Sequence, residues 1–205
     1  SWKRARLGCV TASRLADVMA TIKTGEAAAR ANYRAELIAQ RLTGQVEEGF
    51  TNAAMQWGTD QEPFARAAYE LYSDSMVEQV GFITHPSIKW SGASPDGLIA
   101  DKGLVEIKCP NTATHIGYFI AGTVPSKYVP QMTWQIACTG RDWCDFVSFD
   151  PRLPEDFRLF IARYRPDETK IAEAETAVKT FLQEIDDAIA KLMAIKNRND
   201  LINTP

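Results

Sequence analysis

The middle of the chain changes from helical to strand-like patterning, and this change constrains the fold more than any other feature. Three segments, 80–84, 90–93 and 104–109, are short and rich in β-branched or aromatic residues. Turn sequences lie between the second and the third, Pro-Asp-Gly at 95–97 and Asp-Lys-Gly at 101–103. Short apolar runs bounded by such turns predict the strands of a sheet.

Helical patterns flank these strands on both sides. The remaining predicted elements are a short helix after Thr11-Ala12-Ser13, helices over 26–43, 52–72, 112–121 and 128–138, strands over 143–149 and 157–164, and a long helix over 167–197. The helix over 52–72 is expected to align Phe64, Ala68 and Tyr72 on one stripe. This order predicts an α/β fold, a mixed central sheet flanked by helices, in one domain covering residues 1–205.

The last helix carries a heptad-like apolar stripe that begins at Ile171 and ends at Ile195. Steps of three and four residues separate its apolar positions, as in a coiled coil. We interpret the stripe as a surface that packs on the helix's own domain rather than as an intermolecular coiled coil.

Composition excludes several classes of protein. Hydrophobic residues form 45% and charged residues 24% of the 205, which is typical of a soluble globular chain and too apolar for disorder. No apolar run approaches the roughly 18 residues of a membrane span, and the N-terminus lacks a signal-peptide core. We therefore expect a cytoplasmic protein without a membrane partner. The chain begins at Ser1 rather than Met, so we expect native residues to precede it.

Charge is distributed unevenly along the chain. Residues 1–44 carry eight basic and three acidic side chains, although the whole chain has a net charge of −3. This asymmetry is compatible with a basic face that meets phosphates. The alternative is a solvated helical face without a partner.

The cysteines do not suggest a metal or a disulfide framework. The four are Cys9, Cys109, Cys138 and Cys144, and no two of them form a C-x-x-C pair. With only two histidines in the chain, a zinc site is not expected. An iron–sulfur cluster would need closer spacing than 138 to 144 provides, so buried thiols are the expectation.

The residues that point to chemistry surround the third predicted strand. Asp96 lies in Ser-Pro-Asp-Gly at 94–97, and Glu106 and Lys108 follow nine and eleven residues after that tetrapeptide. Because side chains alternate along a strand, Glu106 and Lys108 share one face while Ile107 points into the core. Two carboxylates and an amine suit Mg²⁺ or Mn²⁺ and hydrolysis of a phosphodiester. The alternative is a surface hairpin with a weak ion pair.

A third carboxylate precedes the sheet. Glu62 lies on the helix predicted over 52–72, next to the core-like Phe64 and Ala65. Clustered carboxylates raise one another's pKa until a cation neutralises them. The alternative is a helical ion pair of Glu62 with Arg66, four residues further on.

Together, these motifs resemble the phage lambda exonuclease family, the YqaJ-like viral recombinase group of the PD-(D/E)xK nucleases. The resemblance extends from residue 2 to about residue 152. The motifs that carry it are Arg6-Leu7-Gly8-Cys9-Val10-Thr11-Ala12-Ser13, Gly58-x-x-x-Glu62-x-x-Ala65-Arg66, Ser94-Pro95-Asp96-Gly97 and Glu106-Ile107-Lys108-Cys109-Pro110.

The resemblance implies a restriction-endonuclease-like fold and a Mg²⁺-dependent 5′→3′ exonuclease on linear double-stranded DNA. It would release 5′-mononucleotides, leave 3′ overhangs and use two Mg²⁺ ions, for which Mn²⁺ can substitute. The implied partners are 5′-phosphorylated DNA ends, two further copies in a homotrimeric ring and a single-strand annealing protein, in a phage or prophage setting within the bacterial host cytoplasm.

The resemblance also implies roles for single residues. Asp96, Glu106, the backbone carbonyl of Ile107 and Glu62 would hold the metals, and Lys108 would orient the attacking water. Gln131 matches a glutamine that helps to hold the nucleophile or the scissile strand, with Trp134 in place of the usual tyrosine; the alternative for Gln131 is an exposed helix face.

Further roles implied by the resemblance concern the DNA end. Arg6, Ser13 and Ser94 would bind the 5′-phosphate, since an arginine grips phosphate and a helix N-terminus attracts anions. Alternatively Ser13 caps a helix and Arg6 forms a surface ion pair. Met55 would be an apolar wedge at the terminal base pair, or else an ordinary core methionine.

Two other classes of function remain open. One is a structure-selective endonuclease or a RecB-like single-strand nuclease of the same superfamily. The other is a catalytically silent DNA-end-binding protein, although the presence of Asp96, Glu106 and Lys108 counts against it.

Overall fold

The computed structural model describes residues 2–46, Gly49 and 51–202. The helices in this part of the chain are α1 (Trp2–Ala5), α2 (Leu15–Val18), α3 (Ala28–Thr43), α4 (Ala53–Ser73), α5 (Thr112–Ala121), α6 (Val129–Thr139) and α7 (Glu168–Ile202). The strands are β1 (Val10–Thr11), β2 (Val77–Glu78), β3 (Ile83–Thr84), β4 (Ser91–Ala93), β5 (Gly97–Ile99), β6 (Gly103–Lys108), β7 (Trp143–Phe149) and β8 (Leu159–Tyr164). Within these bounds, no helix is long and apolar enough to cross a membrane.

The predicted central sheet is the five-stranded sheet with the order β2-β5-β6-β7-β8. β6 and β7 are parallel, and the other neighbouring pairs are antiparallel, so the sheet is mixed. A smaller sheet, β1-β4-β3, was not predicted. The strand predicted over 80–84 is reduced to Ile83–Thr84, because β3 contacts β4 over only two residues.

The two faces of β6 have different neighbours, which follows from the alternation of its side chains. Val105 and Ile107 pack in one cluster with Ala65 and Tyr69 of α4. Leu104 packs on the opposite face with residues of α6 such as Met132. Glu106 and Lys108 have the same parity as Leu104, so they project toward α6.

The buried side of α4 differs from the predicted stripe. Phe64 is 63% and Tyr72 76% exposed, whereas Ala65 and Tyr69 are buried against the sheet. The prediction of a stripe through Phe64, Ala68 and Tyr72 is therefore wrong by about one position. Tyr69 is buried with its hydroxyl donating to the buried Asp145 at 2.8 Å. Hydrophobic periodicity does not predict a polar contact of this kind.

The apolar stripe of α7 packs on its own domain, as interpreted from the sequence, but only over part of its length. Ala174, Val178 and Phe181 are buried in a cluster that includes residues of α2 and α3. Beyond Ile185 the stripe becomes exposed, and Ile195 is one of the exposed apolar residues.

Four of the eight basic residues of the N-terminal region form ion pairs within the described part of the protein. Arg30 and Arg34 of α3 both pair with Glu184 of α7 and with Glu26. Arg41 pairs with an aspartate of α7, and Arg14 pairs with Asp17 and Glu36. Half of the basic side chains of this region are therefore compensated by acidic residues within the fold, and the predicted basic face stays a prediction.

Each of the four cysteines is buried and free, as expected from their spacing.

Candidate active site

The site lies where the C-terminal end of β6 meets the start of its neighbour β5. Asp96 immediately precedes β5, which is antiparallel to β6. Gly97 fits there because a side chain would not: an added Cβ would lie 2.1 Å from Val77 Cγ1. The backbone N–H of Ile107 donates to Asp96 Oδ2 at 2.6 Å. This bond fixes the Asp96 carboxylate beside the strand that carries Glu106 and Lys108.

Glu106 is a charged side chain in the protein interior, with 1% of its surface exposed. Gln131 Nε2 donates to its Oε1 at 2.7 Å, and Gln135 Nε2 donates to its Oε2 at 2.6 Å. Lys108 Nζ lies 2.5 Å from Oε1. Buried charges need such partners, so the surface-hairpin alternative is excluded for this strand.

Gln135 was not predicted, although it is fully buried and contacts Glu106 directly. Residues four apart on a helix lie on one face, and Gln131 and Gln135 have this spacing on α6. That repeated amide was the signal that sequence reasoning overlooked. The hydrogen bond from Gln131 to Glu106 excludes the alternative that Gln131 lies on an exposed helix face.

Trp134, by contrast, faces away from the site. It is buried in the cluster of α2, α3 and α7 and stacks on His85 with ring centres 5.0 Å apart. The position at which the resemblance implies a tyrosine is therefore a core position in this chain. The helix contacts Glu106 instead through Gln131 and through Gln135, the residue after Trp134.

The ionisable groups of the site shift one another's pKa values. Burial and the neighbouring Glu106 carboxylate raise the pKa of Asp96 well above its ordinary value, and Glu62 adds to the effect. Burial alone would lower the pKa of Lys108, but Glu106 and Asp96 together raise it. Lys108 is thus an ammonium ion that only partly compensates two carboxylates.

Glu62 does not join Asp96 and Glu106 in the structure. It lies on α4, which covers the opposite face of β6, and it accepts a hydrogen bond from Arg66. The helical ion pair considered from the sequence is therefore formed. Glu62 acts on Asp96 through the electrostatic field rather than through a contact.

The donor atoms suit a hard cation in part. Asp96 and Glu106 supply carboxylate oxygens, and burial together with the neighbouring Glu106 raises the pKa of Asp96. Across residues 2–46, Gly49 and 51–202, no group of three His, Cys, Asp or Glu side chains is placed to hold a metal ion. Asp96 and Glu106 thus provide two carboxyl groups at neighbouring strands, and Glu62 would have to leave Arg66 to become a third.

The small sheet brings the segments of two of the residues expected at the 5′-phosphate side by side. β1 and β4 are parallel, with Thr11 opposite Gly92, so Ser13 and Ser94 both follow the ends of neighbouring strands. Arg6 is half-buried in the turn before β1, and burial lowers its pKa. Ser13 caps no helix, because it lies inside the short 3-10 helix Ala12–Arg14, and neither that helix nor α2 has a side-chain N-cap. Its hydroxyl lies 3.4 Å from that of Thr11.

Met55 is 55% exposed in the first turn of α4. The alternative of an ordinary core methionine is therefore wrong. Its exposure leaves it accessible to a ligand.

Comparison with known proteins adds an independent observation. The model of the YqaJ-like viral recombinase domain matches residues 1–142, more than half of the chain. The chain belongs to the YqaJ-like viral recombinase family. The matched range contains every residue of the site from Arg6 to Gln135. The family resemblance read from the sequence is thereby confirmed.

Solved structures extend the likeness of this YqaJ-like chain beyond the matched domain. The alkaline exonuclease LHK-Exo from Laribacter hongkongensis is 52% identical, with a TM-score of 0.89, over 96% of this chain and 97% of the other. LHK-Exo in complex with dAMP gives 53% identity and a TM-score of 0.91 over the same shares.

A phage-related exonuclease from Haemophilus somnus is 16% identical, with a TM-score of 0.70 over 90% of this chain and 96% of the other. At that identity it shows the fold alone, and the predicted fold class is confirmed. No curated protein matched the chain.

Proposed function

We propose that the protein is a Mg²⁺-dependent 5′→3′ exonuclease that degrades linear double-stranded DNA and leaves 3′ overhangs. The observation that carries the proposal is the buried Glu106, which Gln131 and Lys108 contact. It lies beside Asp96, whose pKa is raised by burial and by Glu106. The family and the exonuclease neighbours support a nuclease in general. The double-stranded substrate, the 5′→3′ polarity and the Mg²⁺ cofactor are what we propose beyond this general activity.

Asp96 and Glu106 would bind the cation, with the Ile107 carbonyl beside them and Glu62 at a second position. A bound Mg²⁺ polarises a phosphate and lowers the pKa of water. Lys108, which the carboxylates keep protonated, would hold the attacking water and stabilise the developing negative charge. Glu106 would be kept in one orientation by the two amides of α6.

Arg6, Ser13 and Ser94 would bind the 5′-phosphate and so fix the cut one nucleotide from the end. The parallel pairing of β1 with β4 supports this by bringing the two serine segments together. Replacement of Arg6 by Ala should abolish the preference for 5′-phosphate over 5′-hydroxyl ends. A variant that keeps this preference would contradict the pocket.

Met55, exposed on α4, would serve as the wedge that separates the terminal base pair. The proposal further includes a homotrimeric ring around the DNA and a single-strand annealing partner, in the cytoplasm of a host that carries phage DNA. These parts rest on the family and are tested by the mass of the particle in solution and by co-purification.

The deciding experiment uses a linear duplex with one 5′-phosphate end, with and without Mg²⁺, beside closed circular DNA. We expect mononucleotide release from the phosphorylated end alone and an intact circle. Cleavage of the circle would favour the endonuclease alternative, and binding without cleavage would favour a silent end-binding protein.

Lys108→Ala is the variant that separates catalysis from binding, since it removes the ammonium and leaves the carboxylates. We expect it to bind the duplex end without degrading it. Lys102→Ala is the matched control, because Lys102 precedes the opposite end of β6 and its side chain is 73% exposed. Equal loss of activity in both variants would argue against a special role for Lys108.

A further inference from the structure

The stretch of chain that surrounds the catalytic face of β6 contains no acidic residue. Between Glu106 and Asp142 there is no aspartate or glutamate, although the whole chain has 26 acidic residues in 205. This stretch ends β6, forms α5 and α6, and provides the turn Ser126–Tyr128 that leads into α6. A segment without acidic residues, next to the proposed phosphodiesterase site, is suited to a polyanion.

One exposed lysine in this stretch is held close to the site by aromatic rings. The Nζ of Lys127 lies 4.9 Å from the ring centre of Tyr128 and 5.9 Å from that of Tyr118. Lys108 Nζ lies 5.1 Å from the same Tyr128 ring. The two ammonium nitrogens are therefore no more than 10.0 Å apart.

The rings themselves are anchored. Tyr128 stacks on the buried Phe146 at 5.3 Å with an interplanar angle of 21°, and Tyr118 meets Phe146 edge-on at the same distance. The enclosed Tyr118 hydroxyl makes no hydrogen bond of ordinary geometry within the described part of the chain. Contact with the Tyr118 hydroxyl raises the pKa of Lys127, which therefore keeps its charge.

We propose that Lys127, positioned by Tyr118 and Tyr128, is a second phosphate-binding position for the DNA strand that enters the active site. The proposal rests on the proposed function, because it takes the strand to pass Lys108. Nucleotides are spaced by about 3.4 Å along the helix axis, so a phosphate within a few nucleotides of the scissile one would reach Lys127. Its role is to hold the strand, not to take part in bond cleavage.

This position is distinct from the 5′-phosphate residues. Arg6, Ser13 and Ser94 belong to the turn before β1 and to the ends of β1 and β4, whereas Lys127 belongs to the turn before α6. A strand bound at both places would be held at two positions besides Lys108. Such a clamp would align the scissile phosphate with Asp96 and Glu106.

The test is the salt dependence of duplex binding in EDTA, where no cleavage occurs. For Lys127→Met we expect affinity for a 5′-phosphorylated duplex to fall several-fold and the slope of log K against log salt to become shallower by about 1. Lys127→Arg should restore the slope. Lys102→Met, which removes an exposed lysine at the other end of β6, should leave both quantities unchanged.

An unchanged slope and affinity in Lys127→Met would overturn the proposal. The same shift in Lys102→Met would also overturn it, because the effect would then be one of net charge. If the parent chain binds duplex ends and fails to degrade them, the proposed exonuclease is wrong, yet a specific loss in Lys127→Met would still support the phosphate position. A parent that binds no duplex would contradict both.

Discussion

Two acid–base clusters lie at the same edge of the central sheet, and their electrostatics are opposite. β6 and β7 are parallel neighbours, so Lys108 at the end of β6 and Asp150 after β7 lie at one edge. At β6, burial and Glu106 raise the pKa of Asp96. At β7, Asp150 is fully buried, and although burial opposes it, hydrogen bonds from Arg152 and Thr112 lower its pKa to about 2.

The difference lies in how the donors are matched to the acids. Arg152 donates to both oxygens of Asp150 and also to the carbonyl of Pro110, and its guanidinium stacks over Trp57 at 4.5 Å. One acid there has one full counter-charge. At β6 two acids share one lysine, and the remaining donors are neutral amides. Asp150 in the β7 cluster is thus fully paired, whereas Asp96 and Glu106 in the β6 cluster are not, which supports the proposal that they bind a cation.

The largest effect is expected from Asp96→Asn. The asparagine oxygen can still accept the N–H of Ile107, so the backbone should keep its shape while a metal-binding charge is lost. We expect nuclease activity to fall by about 10³-fold. The measurement is the initial rate of mononucleotide release from linear duplex.

Asp150→Asn is the matched control for that variant, because it makes the same chemical change at the neighbouring strand. It should retain activity at a temperature where it is folded. Comparable losses in both variants would show that the two clusters do not differ in function.

Gln135→Met should have the next largest effect. It keeps the volume of the side chain but leaves Oε2 of Glu106 buried without a donor. Groups that orient a metal ligand typically contribute roughly 10- to 100-fold to metal affinity or activity. We therefore expect the apparent affinity for Mn²⁺, measured by calorimetry without DNA, to fall by about that factor.

Thr133→Val is the control on the same helix. Thr133 is buried and bonds to Val129 and Tyr164, away from Glu106. Its loss should lower the melting temperature without changing the affinity for Mn²⁺. A similar fall in metal affinity for both variants would reduce Gln135 to a packing residue.

The parts of the molecule that sequence could predict are those fixed by local periodicity. Alternation along β6 places Glu106 and Lys108 on one face, because side chains two residues apart in a strand point to the same side. By contrast, Phe64 and Ala65 are adjacent on α4, and only the contact with the sheet decides which is buried. Glu62 is similar: helical spacing allows the pair with Arg66, but whether the carboxylate turns to Asp96 depends on three-dimensional placement and on a cation.

A stability effect is expected at the β7 cluster. Because the pKa of Asp150 is lowered, its ionised form stabilises the native state above the ordinary aspartate pKa of 3.8. This stabilisation is lost as the pH falls through about 2. Asp150→Asn should therefore lower the free energy of unfolding at pH 7 by about 1–2 kcal/mol. This figure already allows for solvent screening at the partly exposed Arg152.

Urea unfolding at several pH values measures this effect. The gap between Asp150→Asn and the parent should narrow as the pH falls from 4 toward 2. Asp156→Asn is the control, since Asp156 is exposed in the same segment, and it should change stability by less than about 0.5 kcal/mol. A gap that is constant with pH would mean that Asp150 acts by packing rather than by charge.

The smallest effect concerns the β6 cluster without DNA. If Asp96 and Glu106 repel each other in the metal-free protein, a divalent cation that binds between them stabilises the native state by mass action. Ca²⁺ at about five times its Kd should add about 1 kcal/mol to the free energy of unfolding. Asp96→Asn should lose this response and, freed of the repulsion, should be at least as stable as the metal-free parent. Stabilisation of the variant by Ca²⁺ to the same extent would place the cation elsewhere, and the contrast between the two strands would no longer identify the active site.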